Sequence, residues 1–380
     1  MIGADEFWWD NITGPRQFVT KVLDVLVDNQ MVILTVPSDL PWRHTMRGEI
    51  ESRFRDISNS SEIVIESIDA KDEIGDTEPG TFLLNRYAAF DDEIREGFRE
   101  TRNNTIQNYI KKNNVLRNRI IWIKGLSVDQ SDTWVEFCEK YKINNISDGC
   151  FVLEIQGMKE WTNLENVRVI SYDECISQHD VQLFNSLYLD ENYNYSEYWN
   201  LYISTIAANL CETDPEISQK MIDLGSFDKV SPDLIIEKIA KDDEFIRRGS
   251  DENSGHILSI VRKNNKKEIR SRIWKAQMQV FFPIIEMERI KLIEKWFDKI
   301  QNALVNNHVE QYDIHITDPY DVELGTLFYL NNHYDKQGNY KLHIPDANDR
   351  QKIKFLHECR NLLAHMKCCS PDQIKGLLNL

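Results

Sequence analysis

Apolar positions fall into two regimes along the chain. Up to about residue 175, short continuous apolar runs alternate with segments of helical spacing. MVILTVP (31–37), EIVIESI (62–68), RIIWIKGL (119–126), GCFVLEI (149–155) and NVRVISY (166–172) read as strands, the unbroken runs being those expected of parallel strands covered on both faces. GPRQFVTKVLDVLVDN, with Phe18, Val22, Leu23, Val25 and Leu26, and later DTWVEFCEKY, read as helices; SDLPWRHTMRGEIESRFRD reads as a loop followed by a helix. Alternation of this kind predicts an α/β layered domain over residues 1–180.

Beyond it the strand pattern stops. EYWNLYISTIAANLCE, EISQKMIDLG and PDLIIEKIAKDDEFIRR are spaced as helices and predict a helical connector, 181–255, packed on the α/β domain. The polar stretch GSDENSGH marks the start of a last domain, 256–380. There KEIRSRIWKAQMQVFFPIIEMERIKLIEKWFDKIQNAL carries a broad apolar stripe, which Pro283 either kinks or divides by opening a new helix. DPYDVELGTLFYLNNHY, IPDANDRQKIKFLHECRNLLAHM and PDQIKGLLNL complete a helical bundle. The fold class is therefore α/β plus all-α.

Composition narrows the classes of function. With 380 residues the chain exceeds what one core usually organises. A formal net charge of -17 argues against coating nucleic acid by bulk electrostatics, so any such contact is local. One basic cluster offers it: Arg262, Lys263, Lys266, Lys267, Arg270, Arg272 and Lys275, against only Glu268. A solvated helix face explains that cluster equally well. Seven cysteines without CxxC pairs, no apolar span of transmembrane length and no leader-like apolar region point to a reduced, cytoplasmic setting with no membrane association.

The loop after the first strand is where a phosphate-binding loop would sit. VPSDLPWRHTM holds Pro and bulky side chains where close backbone approach needs Gly; the chain has no Gly-Lys dipeptide, and the strand IIWIKGLS ends in Lys124 and Gly125 with no acid directly after its apolar run to hold magnesium. The layout loosely resembles a P-loop or STAND-type ATPase lacking Walker A and its catalytic parts, and nucleotide hydrolysis is not expected. Trp42, Arg43 and His44 in that loop are candidates for contact with a ligand or protein partner, packing being the plainer account. Trp8 and Trp9 read as an N-terminal docking anchor.

The most specific string is Arg360-Asn361-Leu362-Leu363-Ala364-His365, late in the bundle. It resembles the Arg-x4-6-His signature of the HEPN superfamily, in which a polar residue commonly follows the Arg. The resemblance covers about residues 268–380, with Glu286 or Glu288 as the charged residue of an earlier long helix, and is closest to bacterial HEPN proteins of phage-defence and toxin systems. It implies a metal-independent endoribonuclease working as a homodimer with RNA as substrate. Arg360 and His365 would be catalytic, with Asn361 in support, and no cofactor and no metal would be needed. On a helix Asn361 and His365 are i,i+4 neighbours, so the amide is expected to hold the imidazole.

Such chemistry requires a base for the ribose 2'-hydroxyl, a cation for the charge developing at phosphorus and an acid for the leaving 5'-oxygen. Histidine titrates near neutrality and arginine offers a permanently charged fork. Two alternatives stay open at this stage: an inactive HEPN dimeriser fused to a pseudo-ATPase as a scaffold or sensor subunit, and a nucleotide-responsive switch. The same residues also have purely structural uses, since a His near a helix C-terminus is favoured by the helix dipole. His308 and His315 match no common metal spacing, and Cys359, Cys368 and Cys369 near His365 lack an evident fourth zinc ligand, so solvated histidines and buried thiols are the expectation.

Overall fold

The computed structural model describes residues 3–58, 62–157, 159, 161, 164–250, 255–311 and 314–380. Part of the GSDENSGH stretch, residues 251–254, lies outside the described residues. The chain forms two compact units, Met1–Phe184 with Thr213–Glu216, and Asn185–Glu212 with Ile217–Leu380.

In the first unit five strands, β1 (Met31–Val36), β2 (Val64–Asp69), β3 (Arg119–Leu126), β4 (Cys150–Gln156) and β5 (Val167–Ser171), form one parallel sheet in the order β2-β3-β4-β1-β5. All five are the apolar runs of the sequence, and the central ones are covered on both faces: Val32, Ile33 and Leu34 of β1 and Phe151, Val152 and Leu153 of β4 have no exposed surface. Helix Arg43–Ser58, which follows β1, packs beside helix Thr13–Val27. Helix Val128–Lys140 covers β3 and β4; it starts at a capping box in which Ser127 and Gln130 satisfy each other's backbone N–H groups. β3 bulges between Ile123 and Leu126, where Gly125 takes φ +71°.

The chain leaves β1 toward β2 and leaves β4 in the opposite direction toward β5. The carboxyl ends of β1 and β4 therefore flank the topological switch point of the sheet, the place where open α/β folds form a ligand crevice. Trp8 and Trp9 serve this unit's core, fully buried: Trp8 meets Phe184 edge-on at 5.6 Å, and Trp9 lies 6.2 Å from Phe18 and 6.4 Å from Tyr172.

Among the described residues the second unit is mainly helical, with a short hairpin, Glu310–Gln311 with Ile314–His315. Its axis is the 30-residue helix Lys266–Lys295, which runs without a break through Pro283. Pro283 is exposed, so the carbonyl it leaves without an N–H partner faces water rather than core. The helix ends instead at Trp296, before helix Phe297–Asn307. The segment read as a connector contributes to the same core: helix Glu197–Cys211 stacks Tyr202 on Phe281 at 5.1 Å, and Asn209 donates to Gln279 at 3.0 Å. The single helix read over DPYDVELGTLFYLNNHY resolves into a turn at Pro319–Asp321 and helix Leu324–Asn332, Asp318 capping the turn. Among the described residues no helix is long and apolar enough to cross a membrane.

Candidate functional site

Helix Ala347–Ala364 carries the Arg-Asn-x-x-x-His string. It begins at Asp346, whose carboxylate accepts from the N–H groups of Asn348 and Asp349, and buries Ile353, Leu356, Cys359 and Leu363 against the bundle. Its end is fixed on three sides. Trp274 Nε1 donates to the Leu363 carbonyl at 2.7 Å, and Gln277 Oε1 accepts from the Cys369 N–H at 2.7 Å. Lys367 N–H reaches Leu362 O at 2.8 Å and Met366 N–H reaches Leu363 O at 3.1 Å, with Met366 at φ +54°. That pattern is a Schellman closure with methionine in the left-handed position glycine usually fills, and it leaves His365 as the exposed C-cap of the helix.

Asn361 does not orient His365. Its Nδ2 donates to His357 Nε2 at 3.0 Å, one turn toward the N-terminus, and His357 lies flat on Phe328 at 4.4 Å and 12°. An amide has i−4 and i+4 neighbours on one helix face, and here the earlier one wins because Phe328 holds its ring in place. Burial first, and then the Arg360 charge, lower the His357 pKa below its ordinary value. The Asn361 donor suits the same neutral imidazole. Motif reading keyed on Arg and His spacing passed over His357, whose only signal in the sequence is that it stands four residues before Asn361 and eight before His365.

His357, Asn361 and His365 line one open groove of about 510 Å³ with Phe328, Glu358 and Lys367. Arg360 points to the flank of this face. Its guanidinium pairs with Glu323 at 3.4 Å and touches Asn361 Oδ1 at 3.4 Å. Glu286 pairs with Arg289, and Glu288, almost fully buried, binds Lys291 and Lys352 rather than any member of the string. Burial works to raise the Glu288 pKa, but the hydrogen bonds from Lys291 and Lys352 hold it below the ordinary carboxylate range.

The basic cluster is divided. Arg272 is 7% exposed and bound to Glu212 at 3.0 Å, Glu268 at 3.1 Å and the carbonyls of Leu210 and Gly255, so it does not stand on the surface. The Arg262 guanidinium is engaged by the carbonyls of Ala240, Phe245 and Arg248. Lys263, Lys266, Lys267, Arg270 and Lys275 are exposed. The His308 and His315 rings lie 5.9 Å apart, tilted by 35°. Cys359 and Cys369 are buried, and Cys368 is half-buried.

At the switch point of the first unit lies a second arrangement that the sequence did not announce. Glu154, on β4 beside Leu34 of β1, has no exposed surface. It takes a two-pronged contact from Arg47, with Nε at 3.0 Å and Nη2 at 2.7 Å, a 3.3 Å contact from Arg43 Nε, and the Trp122 indole N–H at 3.2 Å. Arg43 and Arg47 belong to the first turns of the helix after β1, the part of a phosphate-binding fold that would face a nucleotide anion. Here a carboxylate of the chain's own sheet faces them. Arg43 also donates to the carbonyls of Pro37 and Ser38; Trp42, at φ +44°, packs on Phe184 at 5.7 Å and gives its N–H to Glu216 at 3.1 Å. Trp42 and Arg43 are thus held in packing and internal ion pairing.

No protein-family model matches the chain, and no curated protein matches it. Solved structures give distant likenesses. The Orc1 protein of Aeropyrum pernix in complex with DNA is 10% identical, with 95% of this chain and 98% of that one covered, at a TM-score of 0.32. A Drosophila ORC bound to poly(dA/dT) DNA and Cdc6 is 11% identical, with 99% and 72% covered, at 0.24. Values this low assign neither family nor activity.

Proposed function

We propose that the helical unit is an HEPN-like, metal-independent endoribonuclease module of a defence or toxin system, with Arg360 and His365 as its catalytic groups. The observation that carries this reading is the groove on the Asn361–His365 face: an exposed, untethered imidazole at a rigid helix end, a neutral imidazole on the same face, and a guanidinium on the flank. In the proposed reaction one imidazole removes the 2'-hydroxyl proton and the resulting oxygen attacks phosphorus. Arg360 balances the charge on the phosphate oxygens, and protonation of the 5'-oxygen releases a 5'-hydroxyl and a 2',3'-cyclic phosphate. His357 and His365 are eight residues apart on one helix, roughly 12 Å along its axis, too far to serve a single phosphodiester. The second proton-transfer group therefore comes from another copy of the chain, which makes the working form a homodimer. The α/β unit is a P-loop-like fold whose switch-point crevice is closed by Glu154 with Arg43 and Arg47, so it serves as a sensor or docking body without nucleotide hydrolysis.

One observation favours the rival reading of a non-catalytic scaffold: Arg360 is already paired with Glu323. Incubation of the wild type, Arg360→Ala and His365→Ala with total RNA and tRNA, in EDTA and in magnesium, separates the two. The ribonuclease cuts in EDTA and both variants lose the cut; the scaffold stays dimeric and leaves RNA intact in either buffer.

A further inference from the structure

Helix Leu324–Asn332 and the turn that follows it display aromatic rings outward. Tyr329, Tyr334 and Tyr340 are 45%, 56% and 45% exposed, although nothing in folding requires large rings there. They are ordered in pairs. Tyr334 and Tyr340 lie 4.6 Å apart with their hydroxyls at 3.0 Å; His333 stacks on Tyr329 at 4.2 Å and 29°; His343 lies 6.1 Å from Tyr340 at 26°. The backbone beneath them is anchored. Lys341 N–H bonds His333 O at 2.9 Å, Leu342 N–H bonds Leu330 O at 2.9 Å, and Leu342 and Ile344 are buried.

The charge around the rings suits phosphate. Lys341 sits 4.5 Å over the Tyr329 ring and 2.8 Å from its hydroxyl, Lys336 is exposed at the tip, and His333 and His343 flank the row. The one acid of segment 333–343, Asp335, turns its carboxylate inward to the N–H groups of Gln337 and Asn339 at 2.8 and 2.9 Å. A second exposed aromatic pair, Tyr195 and Tyr198, sits among Glu191 and Glu197 and would repel phosphate. The row also adjoins the groove: Phe328, which carries His357, immediately precedes Tyr329 on the same helix.

From these facts we infer that Tyr329, Tyr334, Tyr340 and their flanking cations form a stacking platform for single-stranded RNA that delivers the strand to the Asn361–His365 groove. Every base has a π-face, so such a row binds with little sequence preference and fixes the strand while the groove acts on one phosphate. This deepens the RNA reading of the groove and rests on it.

The test uses the full chain carrying His365→Ala, so that no probe is consumed, and a short fluorescein-labelled oligouridylate followed by anisotropy. Tyr334→Ala with Tyr340→Ala weakens binding about tenfold or more, whereas the paired Phe replacements retain it. Lys336→Glu, at a tip with no packing role, weakens it severalfold and makes it less salt-dependent. In the otherwise wild-type chain the alanine pair raises KM for RNA cleavage and leaves kcat in place. No binding by the parent, or equal binding by parent, alanine pair and Lys336→Glu, overturns the platform. Cleavage by wild type with binding and KM untouched by these changes overturns the platform alone. Ring-dependent binding with no cleavage under any condition upholds the platform and overturns the ribonuclease.

Discussion

Replacing Glu154 with alanine leaves two guanidinium groups and an indole N–H without their common acceptor. The carboxylate is fully buried, while the Arg47 and Arg43 side chains are 12% and 23% exposed, so water reaches the cations only at their edges. Removing one member of a buried pair typically costs about 3–5 kcal/mol because the remaining charge stays desolvated. Arg43 keeps the carbonyls of Pro37 and Ser38, which places the expectation toward the lower end. Against a domain stability of roughly 5–15 kcal/mol this is a large fraction, and it corresponds to a melting shift of about 6–20 °C for a unit of this size. Two units melt in one chain, so the shift has to be read from the α/β unit itself; hydrogen exchange of peptides from β1 and β4 during thermal or urea titration does that. Glu154→Gln, which keeps an acceptor for Trp122, loses less than alanine. A loss under about 1 kcal/mol for Glu154→Ala would refute the claim that this ion cluster closes the crevice.

Three further outcomes are expected. His357 is held below its ordinary pKa, so the unfolded chain takes up its proton first on acidification; stability falls as pH drops through about 6.5 toward the folded value, and His357→Gln flattens that part of the melting-versus-pH curve, while an unchanged slope would contradict its half-buried, Asn361-bound state. Met366→Gly relieves a left-handed conformation that costs a side-chain-bearing residue about 1–2 kcal/mol, partly offset by glycine's backbone entropy, and raises the melting point of the helical unit by a few degrees; a fall would mean the closure after His365 is not what positions it. Arg360→Ala costs under about 1 kcal/mol because its pair with Glu323 is partly exposed, so any loss of RNA cleavage is not unfolding; Glu323→Gln, which releases the guanidinium, tightens RNA binding severalfold, and weaker binding would refute the role given to Arg360.

β1, β3 and β4 were legible because parallel strands covered on both faces leave continuous apolar runs, while the edge strands β2 and β5 coincide with shorter runs interrupted by polar residues. Their order was not legible, since β1 takes its neighbours β4 and β5 from more than a hundred residues away and no local pattern encodes that pairing. Helices Pro79–Tyr87, Asp92–Gly97 and Ile106–Lys112 escaped notice because each is nine residues or shorter, too short for an apolar period to show. Glu154 reads in GCFVLEI as a strand acid with no special meaning; its arginine partners, Arg47 and Arg43, lie more than a hundred residues earlier. In the bundle the helix bearing Arg360, Asn361 and His365 followed from its spacing, whereas the amide's choice of His357 depends on Phe328, a residue of another helix. Arg272 illustrates the same limit. A run of cations reads as one surface, and only the neighbouring Leu210 carbonyl and Glu212 carboxylate draw this one inside.

The central claim is cleavage by 2'-hydroxyl attack without metal. The most direct measurement offers the purified wild type a single-stranded RNA in EDTA beside the same strand with the 2'-hydroxyl removed at the cut position, and identifies the product ends by mass spectrometry. The account predicts that only the all-ribose strand is cut, leaving a 2',3'-cyclic phosphate and a 5'-hydroxyl. Cleavage of both strands, or an intact all-ribose strand at stoichiometric protein, would contradict it.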